Sequence, residues 1–466
     1  MASLLGPRKT IDETLEATEV ETHRLRKDLG ALDVLILGIG VIVGAGIFVL
    51  VGKGASQAGP AVTLSFALAG VVCALAALCY AEFASMVPAA GSAYTYSYAT
   101  LGQLVAFVIG WDLVLEFTIG ASAVAVGFSG YLNALLDQVF GVTLPDSITA
   151  PPGEGGAVNL FAVLIVSIVG ALLIRGVRIT SRANMYLVAI TLTVVLVVII
   201  VGGSEVNTNN WSPYFPNGFA GVREGAALLF FAYIGFDIVA TTAEESRRPQ
   251  RDMPIGILGS LAIVTVLYIA VGAVITGMVR FDQLKGDAPV ADAFKGLGRD
   301  WVAAFVYAGA LIATLKTVMI LMLGQSRVAF AMSRDRLLPE TLGRTHRQWG
   351  TPHKITAITM AFVAALAALV PLGTLAELVN IGTLFAFFLV AAGVLLLRYT
   401  EPERERPFRA PALVVVAPLA MAGCVYLMFQ LPGATWLRFV IWLVLGLIVY
   451  AAYSVRSSRV GAARRS

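Results

Sequence analysis

Charge is scarce in this chain. Only 13% of its 466 residues are Asp, Glu, Lys or Arg, against about 25% in an ordinary soluble domain, so there is little with which to cover a water-facing surface. Histidine is rarer still. All three, His23, His346 and His353, fall in polar segments, which leaves no imidazole cluster for a metal or for general-base work. The three cysteines, Cys73, Cys79 and Cys424, lie inside apolar runs and read as small buried hydrophobes, with no disulfide framework and no zinc spacing. No nucleophile–base pair and no phosphate loop accompanies them, so an enzyme is disfavoured and neither a cofactor nor a metal is expected. Residues 1–32 are polar and lack an apolar core beside a small-residue cleavage site, so they do not read as a signal peptide.

What is abundant is apolar sequence. Hydrophobic residues make up 58% of the chain, and mean hydropathy is +0.83. Runs long enough to span a bilayer recur throughout. Twelve spans are expected, at 33–53, 60–87, 101–132, 158–174, 182–203, 221–243, 254–279, 301–332, 354–371, 376–398, 411–430 and 434–455. Two are long enough to require tilt or an extension beyond the bilayer. The organisation is a 1–32 tail, a first half (33–203), a second half (221–398), an added pair (411–455) and a 456–466 tail.

Arginine and lysine cluster in alternate loops. Arg8, Lys9, Arg24, Arg26 and Lys27 precede span 1. Arg175, Arg178 and Arg182 join spans 4 and 5, and Arg247, Arg248 and Arg251 join spans 6 and 7. Arg334, Arg336, Arg344, Arg347 and Lys354 lie between spans 8 and 9. Arg398, Arg404, Arg406 and Arg409 follow span 10, and Arg456, Arg459, Arg464 and Arg465 end the chain. Loops 133–157 and 204–220 hold neither residue. Both termini are therefore expected in the cytoplasm of a multi-pass plasma (inner) membrane protein. Topology and contact with anionic membrane lipids account for the clusters without a nucleic-acid partner.

Span 1 contains "GIGVIVGAGIFVLVG" (38–52), five glycines in one short apolar stretch. A glycine inside a helix costs roughly 1 kcal/mol relative to alanine. Five spans later, "FFAYIGFDIVATTAEE" (230–245) sets Gly235 and Asp237 into another apolar run. Interruptions at matching places in two halves are the mark of a transporter built from inverted repeats, although small residues also serve ordinary packing between helices. Unwinding at mid-membrane frees backbone groups that need protein, water or a ligand. Amides after the first break suit an anion such as an amino-acid carboxylate, and carbonyls of Phe231, Ala232 and Ile234 suit an ammonium.

Four segments carry a resemblance. "GIGVIVGAGIFVLVG" and "CYAEFASMVPAAGSAYTYSYATLGQLVAFVIGWDLVLE" (79–116) resemble the amino acid–polyamine–organocation superfamily. "FFAYIGFDIVATTAEESRRPQRDMPIGI" (230–257) and "GQSRVAFAMSRDRLLP" (324–339) resemble more closely its cationic amino acid transporter family. The similarity runs from about Leu25 to Arg398. It implies an all-α, leucine-transporter-like fold, a five-plus-five inverted repeat with spans 1 and 6 broken and two C-terminal helices added, working by alternating access. It places a substrate carboxylate at the backbone of Val43, Gly44, Ala45, Gly46 and Ile47. The α-amino group falls near Ile39 and the carbonyls of Phe231, Ala232 and Ile234, with Phe231 as an aromatic gate.

Ionisable residues inside the membrane are functional suspects. Asp112 and Glu116 share one face of span 3, which Gly120 continues. Glu116 and Asp237 suit a proton or a cationic substrate side chain; the alternative for both is fixed hydrogen bonding to backbone freed by unwinding. Asp112 is expected near the cytoplasmic mouth, Glu82 as structural or gating, and Glu244 and Glu245 beside Arg247 and Arg248. Lys316 lies midway along span 8 with no acid within ten positions. Sodium-coupled relatives of the resembled fold hold sodium between spans 1 and 8, and sodium-independent, proton-coupled members put a span 5 lysine there. Here Thr191 stands at that span 5 place, so Lys316 is expected to supply the ammonium from the opposite wall. A static countercharge to Asp237 or Glu116, or a lysine snorkelling to the surface, is the alternative.

Met319, Leu321 and Met322 are expected along the pocket wall, although only one helix face can look inward. Their bulk favours small or medium neutral amino acids, while Glu116 and Asp237 favour Lys, Arg or ornithine. The expected function is broad, sodium-independent, proton-coupled L-amino-acid transport. Strictly cationic transport or exchange is the alternative, and a non-transporting amino-acid sensor is the alternative of another class. A channel is disfavoured for want of a filter or charge ring. The partners are the amino acid, a proton and membrane lipids; a small single-span accessory subunit stays open.

Overall fold

A computed structural model describes residues 28–87, 92–176, 181–284, 286 and 288–457. The expectations placed on Arg8, Lys9, His23, Arg24, Arg26, Lys27, Arg178, Arg459, Arg464 and Arg465 lie outside the described residues, as do the side chains of Glu244 and Arg456.

Among the described residues every regular element is helical; the one β-type pairing is an isolated bridge between Leu29 and Ser246. The chain begins with α1 (Ala31–Ile42), α2 (Ala45–Phe48) and α3 (Leu50–Ala58). A turn at Gly59 and Pro60 leads into α4 (Val62–Met86), followed by α5 (Ser92–Thr100), α6 (Gln103–Phe140), the one-turn α7 (Asp146–Thr149), α8 (Leu160–Ile174) and α9 (Ser181–Ser204). The second half runs α10 (Gly218–Leu229), α11 (Phe236–Ala240), α12 (Pro249–Met278), α13 (Pro289–Gly296), α14 (Asp300–Arg334), α15 (His353–Leu369) and α16 (Leu372–Thr400). Then come α17 (Leu413–Met428) and α18 (Gly433–Val449).

Among the described residues, seven stretches are long and apolar enough to cross a membrane: Leu50–Met86, Gln103–Phe140, Arg182–Ser204, Pro249–Met278, Asp300–Arg334, Leu372–Thr400 and Gly433–Ser454. Shorter apolar helices occupy Ala31–Ile42, Leu160–Ile174, His353–Leu369 and Leu413–Met428. Span 6 of the sequence reading appears in pieces, because its helix is interrupted. Three elements were not foreseen as helices, α5, the one-turn α7 and α13. α6 and α14 also run beyond the 30 Å or so of a hydrocarbon core at about 1.5 Å per residue.

Packing follows small residues and aromatics. α1 lies against α12, where a Cβ on Gly38 would meet Ser260 Oγ at 2.5 Å. α6 packs against α14 and α16. The last helix docks on α6 through Trp111 and Trp442, whose rings stack with centroids 4.5 Å apart. Trp111 Nε1–H donates to the Trp442 carbonyl (3.0 Å) and Trp442 Nε1–H to the Trp111 carbonyl (3.2 Å). The outer faces of α17 and α18 carry exposed apolar side chains such as Val414, Leu437 and Val444, as lipid-facing helices do.

Candidate functional site

Both interruptions lie where the glycines set them. α1 stops at Ile42 and α2 starts at Ala45; between them Val43 leaves the helical region, with its N–H still donating to Ile39 O (2.9 Å). The glycines here are required by proximity. A Cβ on Gly44 would press on Thr317 Oγ1 of α14 at 2.7 Å, and one on Gly46 would enter the Ala232 backbone.

On the other side α10 ends at Leu229, a 3-10 turn covers Phe230–Tyr233, and Ile234 is extended before α11 begins. Gly235 has φ +124° and sits against Val41, so both its conformation and its neighbour demand glycine. Asp237 Oδ1 accepts the Gly235 N–H at 3.1 Å. That carboxylate caps the short α11, which is the backbone-satisfying reading of this residue. The Phe231 carbonyl accepts the Ile234 N–H (3.3 Å). Phe231, Ala232 and Ile234 are all buried.

A residue that the sequence reading missed links the two breaks. The Tyr268 hydroxyl of α12 lies 2.8 Å from Ile42 O and 2.9 Å from Ala232 O. One O–H proton faces two carbonyls freed by unwinding, one from each broken helix. Its ring packs between Phe66 and Tyr233. A tyrosine in an apolar run looks like ordinary core, so only its conspicuous hydroxyl in α12 could have signalled this role.

Three carboxylates and a phenol share the adjoining interior. Glu116 lies within electrostatic reach of Asp237 and Asp112, and Tyr80 within reach of all three. Asp112 is 0% exposed and packs beside Gly382. Among the described residues neither carboxylate oxygen of Asp112 or Glu116, nor the Tyr80 hydroxyl, has a hydrogen-bond partner. Thr383 stands beside Glu116 but gives its hydroxyl proton to Val379 O (3.0 Å). Tyr80 is held edge-on against Phe236 and Phe387.

Lys316 is 1% exposed and has no hydrogen-bond partner among the described residues, so it does not snorkel. Nor does it join the acidic group. Its Nζ lies beside Gly40 of α1: a Cβ built there would be 3.7 Å from Lys316 Nζ and 3.7 Å from Asn184 Oδ1. The Asn184 oxygen is also buried and unpartnered. Asn184, Val188 and Thr191 follow one face of α9 by their spacing; Val188 presses on Gly40, and the Thr191 hydroxyl is spent on Leu187 O (2.8 Å). Asn184 is a second polar group at this point that sequence reasoning did not single out.

A cavity of about 180 Å³ runs up from the α1 end of the bundle, between Leu29, Asp33, Glu245 and Arg327 at its charged mouth and Val41, Ile238 and Asn184. Met319 lines it, as expected, with Ile320, Leu323 and Gly324. Leu321 instead packs toward Gly120 of α6, and Met322 is fully buried. Glu245 pairs with Arg327 of α14 (3.3 Å) rather than forming a cluster with Arg247 and Arg248 alone. The Leu29 N–H donates to Glu245 O (3.0 Å) and the Arg247 N–H to Leu29 O (2.8 Å), joining the entry of α1 to the exit of α11. The opposite end carries the pairs Lys53–Glu154 (3.5 Å) and Lys295–Asp137 (3.1 Å).

The model of the amino acid permease family matches residues 29–453, which includes both breaks. This chain belongs to the amino acid permease family. The resemblance to the amino acid–polyamine–organocation superfamily therefore holds, and the chain is a multi-pass membrane permease. It is 44% identical over 457 residues to the branched-chain amino acid permease BcaP of Bacillus subtilis (strain 168), covering 97% of this permease and 98% of that protein. It is 46% identical over 462 residues to the methylthioribose transporter of the same organism, covering 98% and 99%. To the human cationic amino acid transporter 4 it is 38% identical over 416 residues, covering 87% of this chain and 64% of that longer one.

Proposed function

We propose that this permease is a secondary active transporter of L-amino acids, working by alternating access, independent of sodium and coupled to protons, with a broad range that includes small neutral amino acids. The reading puts it in the plasma membrane with both termini in the cytoplasm, and makes helices 33–203 and 221–398 two inverted halves. The observation that carries it is the meeting of the two breaks. Gly46 abuts Ala232, and carbonyls from both broken helices converge on Tyr268. An amino acid offers one anion and one cation about two bonds apart; the carboxylate would take amides of the Val43–Ile47 stretch beyond the Val43 N–H, which Ile39 O already holds, and the ammonium would share the carbonyls of Ile39 and residues 231–234.

Lys316 supports independence from sodium. An ammonium already stands against α1 at Gly40, where a fixed cation from α14 can satisfy the carbonyl end of the half-helix. Asn184 would orient it. Glu116, with Asp237 and Asp112 nearby, would carry the proton, and Thr191 would leave room where another member of the superfamily has a lysine.

Relatives of nearly equal identity are named for branched-chain amino acids and for methylthioribose, so overall similarity does not fix the cargo. Strictly cationic transport or exchange is the second reading, favoured by the carboxylate group and by relatives named cationic amino acid transporters.

Uptake of a labelled amino-acid panel into proteoliposomes, with and without an inward pH gradient and with sodium replaced, tests the proposal. Accumulation of alanine or another neutral amino acid driven by the gradient and indifferent to sodium is expected. Accumulation of Lys, Arg and ornithine alone would establish the second reading, and binding without accumulation a sensor. Lys316→Ala should lower gradient-driven uptake at least tenfold; uptake with an unchanged pH dependence would remove the assigned role of Lys316.

A further inference from the structure

The loop between α14 and α15 holds a concavity separate from the two helix breaks. It is lined by Arg344, Thr345, His346, Arg347, Gln348, His353 and Lys354, and encloses about 650 Å³ open to solvent. Three lining residues are permanent cations, two are imidazoles and none is a carboxylate. The acids of the preceding segment are engaged elsewhere: Glu340 with Arg336 (3.3 Å) and Asp335 with the Tyr94 hydroxyl (2.7 Å). Among the described residues no ion pair neutralises Arg344, Arg347 or Lys354, and the His353 Nδ1 is buried without a partner.

The loop is ordered by its own hydrogen bonds. The His346 N–H donates to Thr351 O (2.8 Å), the Gly350 N–H to His346 O (2.9 Å) and the His353 N–H to Thr351 O (2.8 Å). The Thr351 hydroxyl ties the loop to the end of α8 by donating to Ile174 O (2.6 Å). The Gln348 N–H donates to His346 Nδ1 (3.3 Å), which fixes that ring with Nε2 as its remaining polar atom. The positive charge is therefore held on a fixed frame, at the start of a 17-residue helix whose first amides lack intrahelical acceptors.

Trp349 decides the class of ligand. Its ring stacks on His346 with centroids 4.1 Å apart, yet the residue is 42% exposed. A tryptophan with one face packed and one free is the amphipathic kind of side chain enriched at membrane–water interfaces. We propose that this concavity is a binding site for the phosphate group of an anionic membrane lipid, with Arg344, Arg347 and Lys354 as its cationic donors, the two histidines as further N–H donors and Trp349 against the lipid interface. Soluble phosphate shares the chemistry but has no use for the tryptophan.

Native mass spectrometry of the purified full-length permease, in detergent with defined lipid, tests the site. One phosphatidylglycerol should be retained in preference to phosphatidylcholine of the same chains. The triple variant Arg344→Gln/Arg347→Gln/Lys354→Gln should bind it at least tenfold more weakly. Removing the same charge from the same membrane face with Arg247→Gln/Arg248→Gln/Arg251→Gln should leave that lipid in place. Hydrogen exchange across residues 344–354 gives a second measurement that does not depend on lipid counting; it should slow with phosphatidylglycerol and not with inorganic phosphate. Equal retention by the first triple variant, or equal retention of phosphatidylcholine, would overturn the site. Equal protection by inorganic phosphate would overturn the lipid as its source.

Discussion

Glu82 and Glu116 are the same residue type at nearly the same burial, 0% and 1% exposed, and their surroundings differ completely. Both oxygens of Glu82 lie 2.7 Å from Arg398 Nη2; Oε2 also accepts the Ala410 N–H (2.8 Å), and Arg406 Nε approaches to 3.5 Å. Charge and hydrogen-bond capacity are both met, and the carboxylate locks α4 to the segment that follows α16. Glu116 faces two more carboxylates and a phenol, with no donor of its own. A buried carboxylate left without partners is costly, and such a cost persists where the group must gain and lose a partner during function. The satisfied acid is part of the frame, and the unsatisfied one is the group to which the proposed proton coupling is assigned.

The comparison can be broken by thermal unfolding of purified variants. Glu82→Ala strands two arginines and should be the most damaging, by about 3–5 kcal/mol, with specific transport per folded molecule kept. Gly46→Ala should follow at about 1–3 kcal/mol, because the new methyl enters the Ala232 backbone; its transport should fall further than its stability. Tyr268→Phe removes a single hydroxyl between two carbonyls and should cost about 1 kcal/mol, with a rise in the substrate concentration for half-maximal uptake. Glu116→Gln should change stability least, by less than about 1 kcal/mol, and yet abolish accumulation driven by a pH gradient while exchange of internal for external substrate persists. A Glu116→Gln protein as unstable as Glu82→Ala would erase the distinction.

The breaks were legible because glycine has few other reasons to crowd an apolar run, and the structure interrupts the helices at Val43–Gly44 and Ile234–Gly235. The difference between Glu82 and Glu116 was not, since the partners of Glu82 lie more than 300 positions away. Distance along the chain also hid the pairing of Glu245 with Arg327, when Arg247 and Arg248 stood adjacent. Lys316 was conspicuous by its charge; its companion Asn184 was not, because an asparagine near a helix end has many ordinary uses. Tyr268 was concealed by its apolar neighbours, although its hydroxyl touches both breaks.

The two backbone hydrogen bonds that join Leu29 to Glu245 and Arg247 have a mechanical consequence. They fasten the entry of α1 to the chain just past α11, while Tyr268 ties the far end of α1, at Ile42, to Ala232 on the other side of the second break. Under the proposed alternating access, α1 and α11 would move as one door leaf rather than two. A swing of either would then reach the other through backbone alone, and the seam left to part would be the one against α14, which the Glu245–Arg327 pair bridges.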